Sequence, residues 1–169
     1  MVAKKGGKSA PKKASAAKKT DVPKRKSGGG RKPFVPPCIG SGDKLVILES
    51  PNKVASVAKY LGSGWKVMAS CGHIREIDTR KGQAGKAINK KTWDVNFIVS
   101  ESKTDVVKAL AGEAKTAKEI YLATDPDREG EAIAWHIYEV LKPSTKAKFY
   151  RLTFNAITQQ AIQQSIAKK

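Results

Sequence analysis

The chain has 169 residues, with 33 Lys and Arg against 15 Asp and Glu, so its formal net charge is +18 at pH 7. This length allows one domain with a sizeable core plus an extension. No apolar run is long enough to cross a bilayer, no secretory h-region follows the basic start, and the two cysteines lack CxxC spacing, which argues against a disulfide framework or a thiolate zinc site. We therefore expect an intracellular protein in a reducing compartment, without a membrane partner.

Residues 1–43 form a basic segment rich in Lys, Ala, Ser, Gly and Pro, with 12 basic residues and two acidic ones. Large apolar side chains are almost absent, so the segment cannot bury enough surface to offset the entropy of ordering. We predict a disordered polycation that binds DNA or RNA through counterion release. A solubilising or targeting tail is the alternative, because Pro23–Lys26 has the composition of a nuclear import signal.

From residue 44 onwards, apolar runs alternate with amphipathic segments, which is typical of a parallel sheet covered by helices. The predicted elements are a strand over 44–49, a helix over 51–61, a strand over 65–71, a polar loop over 72–91, an edge strand over 92–99, a helix over 103–116, a strand over 119–124, a helix over 128–141, a strand over 147–154 and a helix over 158–167. We therefore predict an α/β fold over residues 44–169, with a Rossmann-like parallel sheet flanked by helices.

Acidic side chains follow two of the predicted buried strands. Glu49 closes the first strand, and Asp125 and Asp127 come directly after strand 119–124. Ligands of open α/β sheets bind beyond the carboxyl ends of the strands, so these acids converge if the two strands are neighbours. Residues two apart in an extended segment point the same way, so we expect Asp125 and Asp127 to direct both carboxylates into the crevice. Glu129 falls in the first turn of the next helix, where the helix dipole tolerates negative charge.

Several carboxylates in one crevice repel one another, so such a cluster either takes up protons or holds a hard divalent cation. An all-oxygen donor set, with no His or Cys thiolate nearby, favours Mg²⁺ over zinc. Mg²⁺ commonly shares its coordination with a substrate phosphate, which a basic protein would attract. The plainer interpretation is a helix cap; the acid at a second strand end favours the metal site.

Basic side chains near these strand ends are candidate phosphate contacts. Lys53 lies one helical turn past the first acid and could meet a phosphate oxygen, although a solvated lysine fits the pattern equally well. His73 and Arg75, in the loop after the second strand, are either phosphate or sugar contacts or ordinary loop caps. His136 lies on the apolar face of its helix and is predicted to be packed. Three tryptophans are predicted to be core or shell residues: Trp65, Trp93 and Trp135.

Four motifs occur in order along the predicted domain: LVILESPNK at 45–53, CGHIR at 71–75, YLATDPDREGEAIAWH at 121–136 and RLTFN at 151–155. Together they resemble the N-terminal Toprim domain of type IA DNA topoisomerases. An Asp-x-Asp pair alone would be shared with primases, small nucleases and recombination proteins of the wider Toprim group. The extended DREGEA run and the ESP start are typical of the topoisomerase branch.

The resemblance implies roles for individual side chains. Glu49 would act in acid or base chemistry at the scissile phosphodiester and is a weaker candidate metal ligand, while Lys53 would support negative charge in the transition state. The resemblance also implies a Mg²⁺ site, with no further cofactor, formed by Asp125, Asp127 and Glu129. The candidate nucleic-acid contacts are His73, Arg75, Arg128 and Arg151. The family's reaction is reversible transesterification of one DNA strand to an enzyme tyrosine, so we expect a DNA-associated protein, in nucleoid or nucleus, whose DNA is single-stranded at the site.

One departure from the family pattern bears on activity. In the family the nucleophilic tyrosine lies in a later domain, within an Arg-Thr-Asp-Ser type motif that this sequence lacks. The tyrosines present are predicted to pack on helices or strands without a base aimed at them: Tyr60, Tyr121, Tyr138 and Tyr150. We therefore expect that the chain does not cleave or relax DNA alone, and that it is a fragment, a truncated product or half of a split enzyme whose tyrosine is on another domain or chain.

Two other functions remain open from the sequence. The first is a nucleic-acid-binding or packaging protein that keeps the Toprim scaffold while the basic tail supplies most of the affinity. The second is a stand-alone Toprim nuclease, which hydrolyses phosphodiesters with metal-bound water and needs no tyrosine. The quartet Glu49, Asp125, Asp127 and Glu129 favours the topoisomerase interpretation over the packaging one.

Overall fold

The structure, a computed structural model, describes residues 34–80 and 86–168. The predicted disorder of residues 1–33 and the middle of the predicted polar loop lie outside these described residues. Within them, no helix is both long enough and apolar enough to cross a membrane.

The strands of the described part fall into a central sheet and a small ribbon. In chain order they are β1 (Ile39–Gly40), β2 (Lys44–Leu48), β3 (Trp65–Ala69), β4 (Arg75–Ile77), β5 (Phe97–Val99), β6 (Glu119–Ala123) and β7 (Lys148–Arg151). The central sheet has the spatial order β1-β3-β2-β6-β7, in which β1 is antiparallel to β3 and the other pairs are parallel. The antiparallel pair β4 and β5 forms the separate ribbon.

The central strands are buried on both faces. The four aliphatic residues from Leu45 to Leu48 are each at most 1% exposed, as a continuous apolar run in a parallel sheet requires. One face packs on α2 (Thr104–Thr116) and α3 (Arg128–Leu141), which contribute Leu110 and Ile137 among others.

The opposite face packs on α1 (Val54–Leu61) and α4 (Gln159–Ala167). Short 3₁₀ turns precede α1 and α2 and follow α3, at Pro51–Lys53, Glu101–Lys103 and Lys142–Ser144. This arrangement confirms the predicted α/β fold with a mainly parallel sheet between helices.

Three predictions about elements differ from the structure. The predicted edge strand over 92–99 is reduced to β5, which pairs with β4 inside the predicted polar loop rather than with the main sheet. Trp93 is 75% exposed and Trp135 is 48% exposed, so the prediction of core or shell positions is wrong for both. The main sheet begins with β1, before the predicted domain start at residue 44.

Candidate functional site at the strand ends

Strands β2 and β6 are neighbours in register, with Leu48 opposite Ala123. Glu49 and Asp125 therefore leave the sheet at the same edge, as predicted for adjacent strand ends. Thr124, between the sheet and the acidic loop, is 2% exposed, and its hydroxyl donates to the carbonyl oxygen of Gly130 at 2.7 Å. This bond ties the loop after β6 to the first turn of α3.

Lys53 reaches across this edge to Asp125. Its Nζ lies 2.8 Å from Oδ1 and 3.0 Å from Oδ2 of the carboxylate, and both side chains remain partly exposed. Pro51 begins the turn that carries the lysine, because its fixed φ suits a helix start and it has no N–H to leave unpaired. The ammonium therefore faces the crevice, and its partner in this structure is a carboxylate 72 residues away.

Glu49 is half-buried beside the other acids. Burial raises the pKa of Glu49, and the negative charges of Asp125, Glu129 and Asp127 raise it further, while Lys53 opposes them. The two strand ends therefore form one electrostatic unit in which carboxylates repel one another.

Asp127 caps helix α3. Its Oδ1 accepts a hydrogen bond from the Gly130 N–H at 2.7 Å, and its backbone is extended. We expected Asp125 and Asp127 to direct both carboxylates into the crevice, but this oxygen of Asp127 is turned back towards the helix. The helix-cap interpretation is therefore correct for Asp127, and it leaves Oδ2 as the oxygen without a described hydrogen bond.

Gly130 lies where α3 approaches the acidic loop most closely. A Cβ on this residue would stand 2.0 Å from the carbonyl oxygen of Asp125 and 2.9 Å from its carbonyl carbon. Only glycine fits at this distance from backbone atoms. The glycine of the DREGEA run is therefore required by the close packing of α3 against the loop, in addition to the charges of its neighbours.

Arg151 fixes the same loop from the edge strand β7. Its guanidinium donates to the carbonyl oxygens of Leu122 at 2.9 Å and Asp125 at 3.2 Å, and also to that of Leu152. Its Nη2 lies 2.6 Å from Oε1 of Glu131. The prediction that Arg151 binds nucleic acid stays untested, but these partners favour a role in holding the acidic loop.

The ribbon brings His73 and Arg75 beside helix α3. His73 Nε2 lies 3.4 Å from Oε1 of Glu129, and both side chains are largely exposed. The Arg75 guanidinium lies over the rings of Phe97 and Trp135, at 5.3 and 5.5 Å from their centroids. Arg75 is therefore held by aromatic side chains, whereas His73 lies at the rim of the acidic crevice.

Two further predicted positions have a clear environment. Arg128 is exposed in the first turn of α3 and makes no ion pair with any residue in 34–80 or 86–168. His136 is 6% exposed, which confirms the prediction of a packed histidine, and its Nδ1 has no partner among those residues. Burial, followed by the charges of Arg75 and His73, lowers the pKa of His136.

The three candidate ligands offer carboxylate oxygens, which suit a hard cation, but the expectation that no histidine lies nearby is wrong, because His73 Nε2 is 3.4 Å from Glu129. In the arrangement described, however, no three His, Cys, Asp or Glu side chains of the described segments stand in a group that could hold a metal ion. The Lys53 ammonium is bonded to both carboxylate oxygens of Asp125, and the Gly130 N–H is bonded to Oδ1 of Asp127. Direct ligation of a metal ion by Asp125 would therefore require this carboxylate to give up its lysine partner.

Sequence reasoning missed the segment after β7 as a wall of this crevice. An open cavity of about 380 Å³ runs from Lys53 and Asp125 to residues 154–157. Phe154 and Ile157 also pack on the α1 and α4 side of the sheet. The RLTFN motif at 151–155 was the sequence signal for this wall, because it continues beyond Arg151, where β7 ends.

Comparison with known proteins gives a consistent picture. The family model for the Toprim domain matches residues 44–157. DNA topoisomerase 1 of Rickettsia bellii is 46% identical over 127 residues, covering 73% of this chain and 16% of that protein. DNA topoisomerase 1 of Mycobacterium tuberculosis is 44% identical over 134 residues, covering 73% of this chain and 14% of that protein.

A structure of full-length topoisomerase I from Thermotoga maritima superposes with a TM-score of 0.62 at 33% identity, covering 73% of this chain and 20% of that one. This chain therefore spans at most about one fifth of the length of these relatives. All four motifs lie within the matched region. The chain belongs to the Toprim family, and its Toprim domain is of the type IA DNA topoisomerase kind.

Proposed function

We propose that this chain is the Mg²⁺-binding Toprim portion of a type IA DNA topoisomerase, acting on DNA inside the cell. It would support cleavage and rejoining of one DNA strand, with the attacking tyrosine supplied by another domain or chain. The observation that carries the proposal is the gathering of Glu49, Lys53 and Asp125 at the adjoining ends of β2 and β6. The naming of the relatives as DNA topoisomerases supports the choice of substrate.

The side chains divide into three roles in this proposal. Asp125, Asp127 and Glu129 would hold Mg²⁺, which when bound supplies positive charge that attracts and polarises phosphate oxygens. Lys53 would face the scissile phosphodiester and stabilise negative charge as the phosphorus–oxygen bond to tyrosine forms and the bond to deoxyribose breaks. Glu49 would exchange a proton with the deoxyribose oxygen that leaves and later returns.

Single-stranded DNA is the form that suits this crevice in the proposal. The crevice is open, and it is lined by the partly exposed Lys53 and by Asn155, whose amide is available to an unpaired base. Phosphate contacts fix the position of a strand without reading its sequence. Binding of one strand rather than a duplex would be measured with fluorescent oligonucleotides of equal length in both forms.

The metal step is tested by thermal unfolding with and without Mg²⁺, alongside calorimetric titration. A ligand that binds only the folded state stabilises it by RT ln(1 + [L]/Kd), which is about 1.4 kcal/mol at ten times Kd. We expect this stabilisation in the wild-type chain and its loss in Asp125→Asn. The matched control is Asp105→Asn on α2, outside the crevice and 3.9 Å from Lys108, which should keep the Mg²⁺ response. If Mg²⁺ stabilised Asp125→Asn and Asp105→Asn equally, the acidic crevice would not be the metal site.

The cleavage step is tested with supercoiled plasmid. We expect no reaction from the chain with Mg²⁺ alone, and relaxation once the tyrosine-bearing remainder of a related topoisomerase is added. Nicking by the chain alone that disappears in Asp125→Asn would instead show a nuclease. DNA binding that depends only on residues 1–43, with no effect of Asp125→Asn or Glu49→Gln in any assay, would indicate a packaging protein.

A further inference from the structure

The end of the sheet opposite the acidic crevice carries a lysine-lined cavity. The cavity has a volume of about 570 Å³ and lies where β6 and β7 begin and α2 ends. Four lysines line it: Lys115, Lys118, Lys146 and Lys148. Since strands rise about 3.3 Å per residue, the seven residues from Lys118 to Asp125 place this cavity roughly 20 Å from the acidic crevice.

Most of this positive charge is not compensated. Lys118 pairs with Asp43 at 2.9 Å. Lys115, Lys146 and Lys148 are exposed and make no ion pair with any residue of the described ranges. Like charges held close together repel one another, and a bound anion removes that cost.

The walls of the cavity are fixed before any ligand binds. Thr145 Oγ1 donates to the carbonyl oxygen of Ala114 at 2.7 Å and accepts from the Ala147 N–H at 3.1 Å. The Lys148 N–H donates to the carbonyl oxygen of Lys118 at 2.9 Å. These bonds tie the segment before β7 to the end of α2 and the start of β6, so the lysine backbones do not need to be ordered on binding.

The chemistry of the lining selects the kind of anion. Lysine ammonium groups are compact charges that bind phosphate oxygens without the paired geometry by which arginine reads guanine. The remaining lining is Ala117, Pro143 and Ala147, together with two hydroxyls that donate to backbone carbonyls. The lining has no Arg, Asn or Gln, whose planar side chains pair with two atoms of one base, so a sequence-independent contact with a phosphate backbone is favoured.

We propose that Lys115, Lys146 and Lys148 form a second DNA-binding surface, which takes the sugar–phosphate backbone of duplex DNA away from the acidic crevice. The choice of DNA as the polyanion rests on the proposed function, whereas the phosphate chemistry does not. A duplex suits this surface because its phosphates stand at fixed spacings. At 3.4 Å per base pair, the separation of roughly 20 Å between the two sites equals the length of about six base pairs. The lysine cavity could therefore bind the same DNA molecule as the acidic crevice or a second DNA segment.

The test compares Lys115→Gln/Lys146→Gln/Lys148→Gln with a control of equal charge, Lys59→Gln/Lys91→Gln/Lys108→Gln. Both keep residues 1–43, and all six lysines are exposed. Duplex affinity is measured against salt in EDTA, so that the metal site plays no part. Since the logarithm of affinity changes by about 0.9 per phosphate contact for each decade of salt, we expect the slope to fall by about 2–3 for the cavity variant and by less than 1 for the control.

Lysine acetylation footprinting by mass spectrometry locates the contact in the wild-type chain. We expect duplex DNA to protect Lys115, Lys146 and Lys148 by several-fold and to leave Lys59 and Lys108 unchanged. Equal protection by inorganic phosphate at the same ionic strength would make the cavity a small-anion site and overturn the proposal. Equal slopes for the two triple variants would also overturn it, with a lowered Tm of the cavity variant showing that these lysines only balance the helix C-termini.

Failure of this proposal is distinguishable from failure of the proposed function. Asp125→Asn should leave the salt slope and the footprint at the lysine cavity unchanged. Conversely, the cavity variant should keep the Mg²⁺-dependent stabilisation of the acidic crevice. A variant that alters both readouts would show that the two ends are not independent, which contradicts the geometry described here.

Discussion

Gly130→Ala is the substitution whose cost follows most directly from the structure. The added Cβ would stand 2.0 Å from the Asp125 carbonyl oxygen, 2.9 Å from its carbonyl carbon and 3.0 Å from its nitrogen. All three are backbone atoms, so a side-chain rotation cannot relieve the clash. Since non-bonded heavy atoms sit about 3.5 Å apart or slightly less for carbon and oxygen, the helix and the loop must separate by about 1 Å or more.

The expected magnitude has two opposing parts. Overpacking of this kind costs about 1–3 kcal/mol, while replacing glycine by alanine in a helix gains up to about 1 kcal/mol. The gain is smaller here, because Gly130 lies in the first turn of α3. We therefore expect a net loss in the free energy of unfolding of about 1–2 kcal/mol, measured by urea denaturation, with a fall in Tm of roughly 2–8 °C.

Gly112→Ala is the matched control for this experiment. Gly112 is an exposed glycine within α2, and a Cβ there would meet no atom within 4 Å. The same chemical change should therefore stabilise the chain by about 0.4–1 kcal/mol. If Gly130→Ala stabilised the chain as Gly112→Ala does, the close approach of α3 to the acidic loop would be refuted.

Three other changes test neighbouring features. Thr124→Val should cost about 0.5–1.5 kcal/mol, because it removes a buried hydrogen bond between the acidic loop and the Gly130 carbonyl. Thr116→Val, at an exposed hydroxyl that donates to the Glu113 carbonyl and accepts from Lys66, should cost less than about 0.5 kcal/mol, and urea denaturation of both variants measures the difference. Arg151→Lys should lower the free energy of unfolding by at least about 1 kcal/mol, because one ammonium cannot replace a guanidinium bonded to three carbonyls. An unchanged urea midpoint would contradict the role of Arg151 in holding the acidic loop. Because the pKa of His136 is lowered in the folded state, the unfolded state takes up the proton first as pH falls. The free energy of unfolding of the wild-type chain should therefore decrease below about pH 6.5. Urea titrations at pH 7.5 and 5.5 should show that His136→Leu abolishes this part of the pH dependence.

Much of the architecture was predictable because it depends on local sequence. Helix α3 runs over 128–141 as expected, since its apolar residues recur at helical spacing and its acids fill the first turn. The convergence of Glu49 and Asp125 was predictable only on the condition that their two strands are neighbours, which the pairing of β2 with β6 fulfils.

The details that the sequence left open depend on non-local pairing or on competition for a donor. The ribbon of β4 and β5 joins strands separated by a basic, Gly-containing segment whose local pattern predicts only a loop. The alternating pattern correctly predicts an extended backbone at Asp127, but the Gly130 N–H, which has no acceptor within the helix, bonds the Asp127 carboxylate and turns it towards α3. Lys53 fits a solvated helix position until the fold places Asp125 within 2.8 Å of it.

The ion pair between Lys53 and Asp125 makes any cation a competitor of the chain's own ammonium group. A ligand binds more weakly when only a small fraction of the protein is in the state that can bind it, and here that state is the one in which Asp125 is free of Lys53. Lys53→Met should therefore bind Mg²⁺ more tightly than the wild-type chain in a calorimetric titration, even though it removes a side chain that the reaction would use. Under the proposed function, a metal ion that binds Asp125 would release Lys53 towards a phosphate in the same event.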